Sequence, residues 1–142
     1  MTTRQTELIK STWSIVAVMD PVVVGGLFYN KLFEIAPQLR SMFRSPIDEQ
    51  SRKLLAMINY IVSRLDKSDM ILSEITKLAK RHSTYGVKDE HYKIVGEALL
   101  WTLEKGLADK WNDETKEAWI TCYTILSNTM ITASRQEIYK AA

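Results

Sequence analysis

Two histidines are the residues of this chain best suited to chemistry, and both lie in one short stretch. They are His82 and His91, in "KLAKRHSTYGVKDEHYKIVG", residues 77–96. His82 continues an apolar stripe with Ile75 and Leu78 at helical spacing, so we expect it near the end of a helix, on its inner face. A histidine in that position either interacts with the helix dipole or ligates a metal. His91 falls at a predicted helix start, where we expect it to face solvent.

Other familiar catalytic patterns are absent from the sequence. It contains no G-x-S-x-G, Walker-type loop, C-x-x-C or H-E-x-x-H motif. The single cysteine, Cys122, excludes an internal disulfide and lies among apolar neighbours, which predicts a core position. Two histidines and one cysteine on separate elements make a poor zinc site. A metal held by one histidine needs a cofactor that supplies the other ligands, as the porphyrin of haem does.

The composition is that of an ordinary globular protein. The chain has 142 residues, 46% of them hydrophobic and 25% charged, with a net charge of +2. This length predicts one domain, residues 1–142. The charges are interspersed, so we expect no nucleic-acid partner. The polar N-terminus and the lack of a run of about 18–20 apolar residues predict no signal peptide and no membrane partner. With its single cysteine, the protein is expected in the cytoplasm.

The apolar residues recur every three or four positions, which predicts an all-α fold. We expect six long helices and a short one. The long helices are predicted at about 3–18, 21–35, 46–65, 71–83, 89–107 and from 113 onwards, and the short one at 37–43. The inner face of the third long helix is expected to carry Gln50, Leu54, Met57 and Ile61.

Local signals mark several helix ends. The residues expected to cap helix starts are Thr2 with Gln5, Ser45 and Asn112. Asp20-Pro21 is expected to break the chain and to start the second helix with Pro21 in its first turn. Pro46 is expected at the first position of the third long helix, and Gly86 is expected to end the fourth. Gly25 and Gly26 lie inside the second helix, where two glycines cost roughly 2 kcal/mol relative to alanine. Glycines inside a helix are usually found where the backbone of another helix crosses closely.

Five stretches have the order and spacing of a known family. They are "LFYNKLFEIAPQLRSMF" (27–43), "EQSRKLLAM" (49–57), "KLAKRHSTYGV" (77–87), "HYKIVGEALLWTL" (91–103) and "AWITCYTIL" (118–126). In this order they resemble the second and third helices, the distal helix, the proximal helix and the last two helices of globins. The resemblance covers nearly the whole chain and includes the family's Pro37 and Phe43. It is nearest to single-domain bacterial globins, between the flavohaemoglobin type and the neuroglobin-like group.

The resemblance implies a globin fold with a haem pocket that holds haem b, with His82 as the proximal ligand of the iron. The other positions that match haem contacts are Phe43, Leu54, Leu78, Val87, Tyr92, Val95 and Tyr123. On the distal side, Tyr29 and Gln50 are expected to stabilise bound O₂, which carries partial negative charge, by roughly 1–2 kcal/mol each. Gly25 is expected to oppose Ser51 where the second helix crosses the distal helix.

The sequence differs at two positions from the globin groups that it resembles. The distal position carries no histidine, so we expect no bis-histidyl iron, although Lys53 or Tyr29 could approach the iron. In flavohaemoglobins a tyrosine and a glutamate surround the proximal histidine. Tyr92 matches that tyrosine, but Ser134 stands where the glutamate would be, which predicts weaker peroxidase-like activation.

The resemblance implies a haem protein that binds O₂ reversibly at a five-coordinate iron with high affinity, for oxygen storage or transport. Its partners are O₂, NO and CO, and we expect a monomer. An alternative is NO dioxygenation, served by a separate reductase because the sequence to Ala142 is expected to lack one. A haem-based gas sensor and a haem-free interaction domain of globin shape also remain open.

Overall fold

The computed structural model describes the backbone of residues 1–84 and 87–141, and the side chains of these except 68–73, 83–84 and 135–141. In this part of the chain it contains six α-helices and two short 3₁₀-helices. The α-helices are α1 (Thr3–Ala17), α2 (Pro21–Ile35), α3 (Ile47–Ser63), α4 (Ser68–Thr84), α5 (Asp89–Leu107) and α6 (Asp113–Ala141). The 3₁₀-helices are Pro37–Met42 and Ala108–Lys110. The predicted all-α architecture is confirmed, and the second 3₁₀-helix is an addition to it.

Two of the predicted helix caps are formed, and the structure adds a third at Asp20. The Thr2 hydroxyl accepts from the Gln5 N–H at 3.0 Å, and the Gln5 side chain accepts from the Thr2 N–H at 2.9 Å. The Asp20 carboxylate accepts from the N–H two residues later, and the Asn112 side chain from the N–H three residues later. These bonds satisfy amides that have no partner within the helix.

Two predicted helix starts are wrong. Pro46, with ψ of 146°, is extended and immediately precedes the helix, so α3 begins at Ile47 and Ser45 does not cap it. The fourth helix begins at Ser68, three residues before the predicted position. Serine and aspartate favour the start of a helix, so Ser68 and Asp69 belong to the first turn of α4 rather than to a break. The predicted helix end at Gly86 lies outside the described residues.

The helices pack around α2 and α6. α2 packs against α3 and α5, α1 against α6 and α3, and α4 against α6. The indoles of Trp13 and Trp119 meet with ring centroids 6.2 Å apart where α1 crosses α6. Cys122 is buried in the same cluster, as predicted, and burial raises the pKa of its thiol to about 11.

The face of α3 that enters the core differs from the prediction by one residue. The structure buries Ser51, Leu55 and Val62 against α1 and α2. The predicted inner residues Gln50, Leu54, Met57 and Ile61 are all half-buried. The cause is that α3 has two apolar faces, one against α2 and α1 and the other toward a cleft beside α4.

α2 and α3 cross closely at Gly25. A Cβ placed on Gly25 would lie 2.1 Å from the Cβ of Ser51, closer than two such atoms can approach. The predicted opposition of Gly25 and Ser51 is therefore confirmed. A Cβ on the neighbouring Gly26 would have no atom of another element within 4 Å.

Within the described residues, no single helix is long and apolar enough to cross a membrane. α1 and α2 meet that test of length and composition only when they are taken together, as a pair bent by 110°.

The two adjacent glycines of α2 provide a matched test of the crossing. We expect Gly25→Ala to lower the free energy of unfolding by about 2–3 kcal/mol, because the methyl group must push α3 away. Gly26→Ala should raise it by up to about 1 kcal/mol, because alanine favours the helix and nothing opposes the methyl group. Urea denaturation measures both, and similar effects of the two changes would contradict the close crossing.

Candidate functional site

His82 lies near the C-terminal end of α4 and is half-buried. Its Nδ1 atom is buried and has no hydrogen-bond partner in the described part of the chain. Burial lowers the pKa of His82, and the positive charge of Arg81 lowers it further. The imidazole is therefore held toward its neutral form, which is the form that ligates metals.

Three of the predicted contact residues surround His82. The ring of Tyr92, on α5, has its centroid 6.1 Å from that of His82. Leu78 and Val87 pack into the same apolar cluster as Tyr92. The N–H of Val87 also donates to the carbonyl oxygen of His82 at 3.0 Å, which ties the chain after α4 to that histidine. The structure thus brings together His82 and three of the residues predicted on its side, Leu78, Val87 and Tyr92.

Tyr123, from α6, contacts the backbone of α5. Its hydroxyl donates to the carbonyl oxygen of Tyr92. Its ring lies against Gly96, where a Cβ would come within 2.7 Å of a ring carbon. Burial raises the pKa of Tyr123, so the phenol remains a donor. Sequence reasoning missed Gly96, although a glycine inside the apolar run "IVGEALL" is a signal of close approach by another element.

Ser134 reaches Tyr92 from α6. Burial raises the pKa of the Tyr92 phenol and the charge of Asp89 raises it further, while a hydrogen bond with Ser134 acts in the opposite direction. A neutral hydroxyl therefore meets Tyr92 at the position where the resemblance places a glutamate in flavohaemoglobins.

Tyr29 is the centre of an aromatic group between α2 and the first 3₁₀-helix. It is 4% exposed, and its ring meets those of Phe28 and Phe43, with centroids 5.0 Å and 5.2 Å away. Its hydroxyl donates to the backbone carbonyl of Gln50 at 3.4 Å, a long hydrogen bond. Burial raises the pKa of Tyr29 to about 12, so it keeps its proton at physiological pH.

Three more of the predicted haem contacts lie on the side of Tyr29. The resemblance implied a proximal position for one of them, Val95, but α5 packs against α2 there. Phe43, Leu54 and Val95 pack against the cluster that contains Tyr29. Gln50 is half-buried at the start of α3, and its backbone carbonyl is the group placed at the Tyr29 hydroxyl. Lys53 is exposed and pairs with Glu49 at 3.2 Å, so the structure directs its ammonium group to the surface.

A narrow cleft lies between α3 and α4. Its walls are nearly all apolar, with Glu74 as the one charged residue. The lining residues are Met57, Tyr60, Ile61, Glu74, Ile75 and Leu78. Gln50 lies on α3 and His82 on α4, so this cleft lies between helices that carry one predicted residue of each side. No cluster of three or more His, Cys, Asp or Glu side chains suited to a metal ion occurs among the described residues.

The family model for globins matches residues 26–130, most of the chain. This chain belongs to the globin family. The fold and the family predicted from the sequence are therefore confirmed, and globins as a family bind haem. The roles assigned to the individual residues of this globin stay predictions.

Several relatives and structures are similar to this globin. A flavohemoprotein of Halalkalibacterium halodurans is 27% identical over 139 residues, which cover 96% of this chain and 34% of that protein. An anaerobic nitrite reductase of Gossypium hirsutum is 32% identical over 137 residues, covering 86% of this chain and 83% of the relative. The structure of a bacterial globin from Campylobacter jejuni superposes with a TM-score of 0.82 at 25% identity, covering 98% of this chain and 99% of that one. The chain spans about a third of the length of the flavohemoproteins it matches.

The hydrogen bond of the Tyr123 hydroxyl, which connects α6 to α5, can be tested by its contribution to stability. We expect Tyr123→Phe to lower the free energy of unfolding by about 1 kcal/mol, because the hydrogen bond to the Tyr92 carbonyl is lost. As a control, Tyr60→Phe on α3 keeps the ring beside the Arg64 guanidinium, 3.9 Å from its centroid, and should change stability by less than about 0.5 kcal/mol. Thermal unfolding measures both. Equal stability of wild type and Tyr123→Phe would contradict a bond of this strength.

Proposed function

We propose that this globin binds haem b through His82 and, in that state, binds O₂ reversibly with high affinity. The observation that carries the proposal is the buried, unpaired Nδ1 of His82 beside Tyr92. Buried polar atoms usually have partners, and an unpaired one is typical of a functional position. When bound, haem supplies an iron that has four porphyrin ligands and takes a diatomic gas, so the protein needs to provide only one axial ligand.

The apolar residues around the site also fit haem. Phe43, Leu54, Leu78, Val87 and Val95 are all half-buried, although each packs against a core cluster. A flat apolar cofactor would cover their remaining exposed surface, and covering about 40 Å² of apolar surface contributes about 1 kcal/mol. This arrangement supports haem better than a metal ion alone, because the described residues offer no set of ligands for an ion.

Tyr29 supports the selectivity for O₂ over CO. Its phenol is protonated, buried and held only by a long bond to the Gln50 carbonyl, so it can turn toward a ligand at little cost. A donor in such an apolar pocket stabilises a ligand with partial negative charge by roughly 1–2 kcal/mol. O₂ gains more from this donor than CO does, because bound O₂ carries more negative charge. Gln50 is proposed as a second donor, which would use its side chain.

NO dioxygenation is the second candidate. In that reaction one NO, one O₂ and one electron give nitrate, and a donor such as Tyr29 that retains O₂ would favour it. The similarity to proteins named flavohemoprotein supports a flavin-containing reductase as the electron source, here a separate one. NO consumption over many turnovers with an added reductase would favour dioxygenation. A single turnover would not, because most oxygenated globins react once with NO.

The axial role of His82 can be tested by visible absorption. We expect the reduced wild-type protein to have the spectrum of a five-coordinate haem, because His82 supplies one ligand and Lys53 is directed away. His82→Ala should lose this spectrum, and added imidazole should restore it. His91→Gln is the matched control and should keep the wild-type spectrum at neutral pH. A wild-type spectrum in His82→Ala would assign the axial ligand to another residue.

The donor role of Tyr29 can be tested by stopped flow. We expect Tyr29→Phe to raise the O₂ dissociation rate about tenfold, which corresponds to the loss of about 1.4 kcal/mol. The CO dissociation rate should change much less, since CO accepts hydrogen bonds weakly. Thr12→Val in α1 also removes a buried hydroxyl, which donates to the Leu8 carbonyl at 2.6 Å. It controls for general destabilisation and should leave both rates unchanged. An unchanged O₂ rate in Tyr29→Phe would contradict the distal assignment.

A further inference from the structure

The second histidine, His91, caps α5. The backbone N–H of Lys88 donates to the Nδ1 atom of His91 at 2.9 Å. The N–H of His91 donates in turn to the carbonyl oxygen of Lys88 at 3.0 Å. His91 is the third residue of α5, the place where a capping box carries glutamate or glutamine. The predicted position of His91 at a helix start is confirmed. Its half-buried ring also has a structural partner there, which the prediction did not include.

An imidazole differs from these usual capping groups in its response to pH. Nδ1 can accept the Lys88 N–H only while it carries no proton. Histidine changes its charge between pH 5 and 8, whereas glutamine does not titrate and glutamate is ionised through that range. Protonation also places a positive charge at the N-terminus of α5, where the helix dipole disfavours it. The cap is thus compatible with neutral His91 and incompatible with the imidazolium.

The capped segment is attached to the candidate site on both sides. Val87, immediately before Lys88, donates its N–H to the carbonyl of His82 at 3.0 Å. Tyr92, immediately after His91, has its ring beside that of His82. Three successive interactions therefore connect His82 with the first turn of α5. Loss of the middle one frees the chain that positions Val87 and Tyr92.

We propose that His91 is a pH-sensitive cap that holds the start of α5 against His82 when neutral and releases it when protonated. The consequence for the site rests on the proposed haem function: acidification between pH 7.5 and 5.5 should weaken retention of haem. The cap itself is a property of the polypeptide and does not depend on that function.

The charged groups around the cap do not cancel this effect. Asp89 and Glu90 belong to the same turn, but neighbours one and two residues away in a helix do not face each other, and both are exposed. Lys88, whose backbone N–H the ring accepts, carries a positive charge that disfavours the imidazolium. Residues 118–134 of α6 carry no charge, and their titratable side chains are Cys122 and Tyr123. No carboxylate is paired with His91 among the described ion pairs.

The test compares wild type, His91→Gln and His91→Ala in the ferrous CO-bound state at pH 7.5 and 5.5. Glutamine keeps an acceptor that does not titrate, whereas alanine has none at either pH. The first readout is the protection factor of the Lys88 amide against hydrogen exchange, corrected for the intrinsic effect of pH. We expect it to fall about fivefold in wild type on acidification, to stay high in His91→Gln and to be low at both pH values in His91→Ala, since a cap changes a local equilibrium by about that factor.

The second readout is the rate of haem transfer to an excess of an acceptor apoglobin. Acid also protonates other groups, so the informative quantity is the difference between wild type and His91→Gln. Transfer from wild type should accelerate about fivefold more than transfer from His91→Gln. If acidification changed the protection factor of the Lys88 amide equally in wild type and His91→Gln, the proposal that His91 is a pH-sensitive cap would be overturned. If the protection of the Lys88 amide falls with pH in wild type only, but haem transfer from the two proteins responds equally to pH, the connection between the cap and the site would be overturned. A protein that takes up no haem would refute the proposed function, while amide exchange of the protein as purified would still test the cap.

Discussion

The close crossing of α2 and α3 at Gly25 and Ser51 is the constraint on which the distal half of the structure depends. With no side chain on Gly25, the Ser51 Cβ occupies the space that a Cβ there would need. Tyr29 lies one turn after Gly25, and Gln50 is adjacent to Ser51, so the crossing sets the distance between their groups. The hydrogen bond from the Tyr29 hydroxyl to the Gln50 carbonyl follows from this geometry. A larger residue at Gly25 would therefore alter the site as well as the packing.

The crossing also explains why α3 has two apolar faces. One face, with Ser51, Leu55 and Val62, is buried by α1 and α2. The other, with Leu54 and Met57, stays half-buried beside the cleft. A helix that packed only against its protein neighbours would leave such a face polar. The energetic reason to keep it apolar is a large apolar partner, and the proposed haem is one.

The proximal half is organised differently, through hydrogen bonds to backbone carbonyls and amides. Tyr123 donates to the Tyr92 carbonyl, Val87 donates to the His82 carbonyl, and His91 accepts from Lys88. These bonds connect α4, α5 and α6. The two histidines differ in their hydrogen bonds: Nδ1 of His82 has no partner among the described residues, whereas Nδ1 of His91 accepts from the backbone.

Much of this molecule is determined locally. The spacing of apolar residues sets the helices, and the caps at Thr2 and Asn112 need only residues within one turn, so both could be read from the sequence. The resemblance of the motifs likewise identified the family and predicted His82, Tyr29 and Phe43 as residues of the site. The start of α4 at Ser68 and the cap between His91 and Lys88 are local as well, although the patterns read from the sequence did not include them. The buried face of α3 and the contact of Tyr123 with Gly96 were decided only in three dimensions. Each depends on which neighbour supplies the partner or covers the surface. A periodic pattern shows that a residue is apolar or polar, but it does not show which of several helices, or which cofactor, lies against it.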